Sequence, residues 1–100
     1  MKKVVRLPDR PLSPRRAIER IRLLERDVGI VLTRHARLRM AQRKLSRRDI
    51  RQCLKYGRVV EHSKPFRLWR YKVQGSTIDG DPMSCVVEIN GKLIFITVIR

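Results

Sequence analysis

The sequence predicts an α+β domain, with N-terminal helices packed on one face of a four-stranded, mostly antiparallel sheet. Three observations carry that expectation. Apolar residues recur at helical spacing through the first half of the chain. The period changes to alternation after Arg58. Asn90-Gly91 then separates two apolar runs, and a two-residue type I′ turn, which needs positive φ twice, favours that dipeptide. At 100 residues and 42% hydrophobic content the chain can fill one core and not two. Residues 13–100 are therefore expected to form a single domain, and residues 1–12, basic with Pro8 and Pro11, read as an arm.

The elements follow in order. Ser13-Pro14 opens a first helix, with Ser as N-cap and Pro at the first helical position. Ala17, Ile18, Ile21, Leu24 and Val28 form its apolar stripe, and Gly29 ends it. Ile30-Val31-Leu32 reads as a short extended piece or linker. Thr33 caps a second helix, roughly 34–43. Ser46 caps a third, with Asp49 completing a capping box, Ile50, Cys53 and Leu54 as its buried face, and Gly57 as its stop. Strands are expected over 59–63 and 66–73, then a polar loop over 75–82, then strands over 83–89 and 92–99. A two-residue turn would pair Ile89 with Lys92, Val87 with Ile94, Cys85 with Ile96 and Met83 with Val98. That apolar face should cover the helices, leaving the face with Ser84, Val86, Glu88 and Thr97 as the site face.

Charge narrows the function. Lys and Arg number 25 against nine Asp and Glu, a formal net charge of +16. Residues 1–58 hold 19 basic and 5 acidic side chains, a net +14, whereas residues 59–100 carry only +2. Arg outnumbers Lys by 18 to 7, and the guanidinium fork matches phosphate oxygens bidentately. A self-repelling surface of this kind suits a polyanion or an acidic partner. No apolar run reaches the ~18 residues of a membrane span, and Arg6, Asp9 and Arg10 interrupt any signal-peptide core, so a cytoplasmic protein is expected. Cys53 and Cys85 lack CxxC spacing and read as reduced, buried thiols. Neither they nor His35 and His62 show metal-ligand spacing, and the carboxylates are too scattered for a two-metal nuclease.

The densest feature is Thr33 to Arg43. On a helix His35, Arg39 and Arg43 fall at i, i+4 and i+8, one polar ridge. Histidine transfers protons near neutral pH and Arg stabilises charge on phosphate oxygens, a pairing suited to phosphodiester chemistry. The same ridge could instead bind phosphate without chemistry, or turn His35 toward the sheet. Tyr71 and Thr97 are the sheet's candidates for supporting it. Arg34, Arg37, Arg47, Arg48, Arg51, His62, Arg70 and Lys72 are candidate nucleic-acid contacts. Phe66 and Trp69 either stack on bases or belong to the core. Helices two and three, joined by Lys44-Leu45-Ser46, also admit a helix-turn-helix reading, with Arg47, Arg48 and Arg51 toward DNA.

The run Thr33-Arg34-His35-Ala36, then Arg39-Met40, Gln42-Arg43, Leu45-Ser46, Asp49-Ile50, Leu54, Gly57 and Val59-Val60-Glu61, resembles the domain of unknown function 4258 family. The strand from Leu93 to Val98 fits its end, so the resemblance covers roughly residues 30–100. Lys44 stands where that family often has Gly, and Arg100 where an aromatic is common. The family is grouped with bacterial toxins of the barnase, EndoU, colicin and RelE type. The resemblance therefore implies helices on one side of a four-stranded antiparallel sheet, and a metal-independent endoribonuclease neutralised by an antitoxin. It maps the family's motif His onto His35 and its motif Arg residues onto Arg39 and Arg43. The expectation is an RNA-binding, cofactor-free ribonuclease toxin with an acidic antitoxin protein as partner. The alternative is a non-catalytic nucleic-acid-binding module or a basic protein-interaction domain.

Overall fold

Local sequence signals set the helices where expected. In the computed structural model, which describes residues 10–90 and 93–99 (in the second stretch with side-chain detail at Val98 only), α1 spans Pro14–Asp27 and α2 spans Arg34–Arg43. A third helix, α3, spans Arg47–Tyr56. Each starts on a side-chain cap. The Arg16, Ala36 and Asp49 N–H groups donate to the hydroxyls of Ser13, Thr33 and Ser46, and the Asp49 carboxylate in turn accepts the Ser46 N–H. Lys44 ends α2 in the left-handed region at φ 55, where glycine would sit without strain.

The strands are β1 (Ile30–Leu32), β2 (Arg58–Ser63), β3 (Arg70–Ser76), β4 (Pro82–Ile89) and β5 (Leu93–Ile99). They form one sheet in the order β1-β5-β4-β3-β2. The fold class is α+β, but the sheet has five strands among the described residues instead of four. The addition is β1, which pairs in parallel with β5, Ile30 opposite Leu93. The remaining neighbours are antiparallel.

Two strand expectations need correction. The second strand was expected over 66–73, but pairing begins at Arg70 opposite Ser63 and runs to Ser76. Residues 65–68 form bends, and Gly75 belongs to the strand. Gly75 is required there by α3. A Cβ on it would lie 2.9 Å from the Cys53 carbonyl oxygen and 3.0 Å from the Cys53 sulfur. The β4–β5 register also differs: Ile89 faces Leu93, Val87 faces Phe95 and Cys85 faces Val98. A bulge after Val86 inserts one extra residue on β5. The expected apolar face survives, because Met83, Cys85, Val87 and Val98 are all buried.

The helices cover that face. Ile21 from α1, Ile50, Cys53 and Leu54 from α3, and Ala36 and Met40 from α2 pack with Val73, Met83, Cys85, Val87 and Val98 in one cluster. Burial of each large aliphatic side chain contributes roughly 1.5–3 kcal/mol. α3 seats on β3 and β4, whereas α2 seats on β5. Each helix thus docks on the sheet. α1 holds α3 by its end: Arg22 Nε donates to the Leu54 carbonyl at 3.1 Å and Nη2 to the Gly57 carbonyl at 2.9 Å. A cation there satisfies free helix-end carbonyls and complements the helix dipole. Both cysteines are free and buried, as expected. The hydrogen bond with Cys53, and then burial, hold the Cys85 thiol well above its ordinary pKa.

Candidate nucleic-acid interface

The His35 ridge lies at the edge between helix surface and core. Ala36 and Met40 anchor α2, and His35 and Arg39 precede them by one position, so these two project from the flank of the buried face. His35 and Arg43 are exposed and Arg39 is half-buried. The Arg39 Nε is fully buried and has no hydrogen-bond partner among the described residues. Buried donors are almost always paired, so this N–H is an unpaired polar group inside the fold.

Further cations lie on the same two helices' surfaces. Arg34 and Arg37 on α2, and Arg47, Arg48 and Arg51 on α3, are all exposed. Arg51 is engaged, its Nε 3.4 Å from Glu25 Oε1 of α1. With Arg48, Gln52, Lys55 and Ile78 that pair borders a cleft of about 380 Å³. The helical layer therefore presents most of the predicted cations on one side of the molecule.

The sheet candidates do not join them. Tyr71 is 3% exposed and lies in the core, its Oη accepting the Leu12 N–H at 2.9 Å. It is a structural residue, not a catalytic one. Alternation explains this: Arg70 and Lys72 point to the helix-free face, and Tyr71 between them points to the helices. Tyr71→Phe should lower stability by about 1 kcal/mol, by leaving the Leu12 N–H unpaired, without changing any activity on RNA. A chemical-denaturation curve and an RNA assay on the same sample check both halves. Thr97 pairs with Val86 through the backbone, and its side chain lies outside the described residues.

Arg70, Lys72 and His62 sit at the other end of the sheet. The Arg70 Nε is 2.8 Å from Glu88 Oε1, in an ion pair that is largely enclosed. Arg70 is therefore a neutralised support instead of a free phosphate contact. His62 is exposed and meets the Trp69 ring edge-on, centroids 5.3 Å apart. Glu61, His62, Ser63, Arg70, Lys72 and Val86 border a cleft of about 180 Å³. Trp69 is half-buried against the core, whereas Phe66 stands in solvent. The core placement of Trp69 agrees with the weight its position favours, whereas the exposure of Phe66 does not follow from alternation. The signal available was Lys64-Pro65-Phe66-Arg67, a ring between cations beside a chain-stiffening proline.

Among the described residues no three His, Cys, Asp or Glu side chains gather as a metal site, and no helix is long and apolar enough to cross a membrane. A family model described as Domain of unknown function (DUF4258) matches residues 32–100, from the end of β1 through β5 and without α1. No curated protein and no solved structure matches the chain.

Proposed function

We propose that this chain, which belongs to the DUF4258 family through residues 32–100, binds RNA along its Arg-rich helical layer and cleaves it without a metal ion at the α2 ridge. The observation that carries the reading is the buried, unmatched Arg39 Nε beside exposed His35 and Arg43, in a chain of net charge +16. Arg39 is half-buried, and guanidinium groups hold phosphate oxygens through charge-assisted hydrogen bonds. The 2′-hydroxyl of RNA then attacks the adjacent phosphorus and its proton passes to the His35 imidazole. The P–O5′ bond breaks and the 5′-oxygen takes a proton from water, the His35 imidazolium giving its own proton to the hydroxide left behind, while Arg39 and Arg43 hold the negative charge on the phosphoryl oxygens. The product ends in a 2′,3′-cyclic phosphate. The same cationic layer suits an acidic antitoxin protein, in a cytoplasmic toxin of the barnase and RelE type. Support for that assignment comes from the grouping that the sequence resemblance implies and from helices lying on one face of the sheet.

The test is incubation of the protein with mixed-sequence single-stranded RNA and its DNA counterpart, with EDTA present. Fragments bearing 2′,3′-cyclic phosphate are expected from RNA alone. Affinity should fall with salt by a log–log slope of about 0.7 per phosphate neutralised. Salt-sensitive binding with no product would reassign the chain to a nucleic-acid-binding module. Absence of binding at low salt would overturn the reading altogether.

A further inference from the structure

We infer that the loop between β2 and β3 is a stacking platform for an unpaired nucleobase, with Phe66 as the ring and Lys64 and Arg67 as cations for the flanking phosphates. The inference rests on the RNA reading above and adds a second contact, remote from the α2 ridge.

The argument starts from Phe66, which is 76% exposed. Single apolar side chains on a surface are common, but this one is braced. The Arg70 guanidinium lies over the ring, 5.4 Å from its centroid. Arg70 is held in turn by Glu88, whose side chain is 14% exposed. An enclosed ion pair thus backs an exposed ring, and the ring's remaining surface faces water. Pro65, immediately before it, restricts the chain. The platform is therefore set before anything lands on it, and little side-chain freedom is lost on binding.

The surroundings choose the ligand. Lys64 and Arg67 flank the ring in sequence and are both exposed, with the Lys64 Nζ 5.7 Å from the Trp69 ring centroid. Glu61 is the one acidic neighbour bordering the adjacent cleft. A flat apolar ring among cations matches a base between phosphates, since every base offers a π-face and every linkage an anion. A paired base keeps its faces inside the helix, so the site favours single strands. The β2–β3 loop lies across the sheet from β5 and α2, with β3 and β4 between. A strand contacting both would span the molecule.

The experiment measures affinity of the full chain for three probes: a 2′-O-methyl single-stranded RNA, which resists cleavage, its duplex, and an abasic phosphodiester strand of equal length. Emission of Trp69, the only tryptophan, is followed in the same titrations. Phe66→Ala should weaken single-strand binding about tenfold and leave the abasic strand and the duplex within about twofold. Phe66→Tyr should restore it. Single-stranded RNA should change Trp69 emission more than the abasic strand does. Equal binding by Phe66→Ala and parent overturns the platform and leaves the RNA reading standing. Equal loss for RNA and abasic strand also overturns it, because stacking is then not the cause. Failure of the parent chain to bind any probe overturns both. Phe66 is exposed, so an unchanged melting curve is the check that Phe66→Ala folds.

Discussion

Replacing His35 with Ala should lower the proposed RNA cleavage by about 10²–10⁴-fold, the range that a positioned proton-transfer group contributes. RNA affinity should stay within about twofold of the parent. The expectation follows from where the ring stands. His35 is exposed, on the turn before Arg39, and the core contacts of α2 come from Ala36 and Met40. Truncating it removes no buried contact, so a lost rate reports chemistry and not folding. Arg39→Ala should behave differently, reducing affinity as well as rate, because its guanidinium is proposed to hold phosphate in the ground state too. Cleavage of RNA by His35→Ala at the parent rate would remove His35 from the reaction. Gel-resolved time courses with 5′-labelled RNA give both quantities.

Gly57→Ala should destabilise the protein by about 3 kcal/mol, moving the urea midpoint down by about 2 M. The added Cβ would lie 2.4 Å from the Cys53 carbonyl oxygen and 2.6 Å from the Gln74 carbonyl oxygen, both backbone atoms. Neither can swing away as a side chain would. Relief requires lifting the end of α3 off β3, which also strains the Arg22 bond to the Gly57 carbonyl. Gly29→Ala is the comparison. Gly29 has φ +99 with nothing near its would-be Cβ, so only conformational strain of about 1 kcal/mol is expected. Equal losses at the two positions would show that close approach is not what α3 depends on.

Some of this architecture was legible and some was not, for physical reasons. Helix ends are local: Ser13, Thr33 and Ser46 each bond to an N–H three residues on, so the sequence displays both partners together. Strand partners are not local. Ile30-Val31-Leu32 has no feature of its own that separates strand from linker, because its partner β5 begins at Leu93. Gly75 looked like a breaker and is a contact point, visible only once Cys53 is placed above it. At the site, the ridge spacing on α2 was readable from helical periodicity alone. The separation of Arg70 and Lys72 from Tyr71 was equally readable, since alternation sends neighbours to opposite faces. What the sequence could not display was the ion pair between Arg70 and Glu88, which turns a cation expected to touch RNA into the backing of Phe66.

The parallel pairing of β1 with β5 bears on the order in which the molecule assembles. β1 leads directly into the Thr33 cap of α2, and α2 rests on β5. Both neighbours of the helix that carries His35 therefore wait on the strand made last among the described elements. Closing a loop of that length is slow relative to forming local helices and hairpins. During synthesis, α3 can meet β3 and β4 while α2 still lacks its seat. The ridge of His35, Arg39 and Arg43 is then the final part to take shape, and any site on it is complete only once β5 is in place.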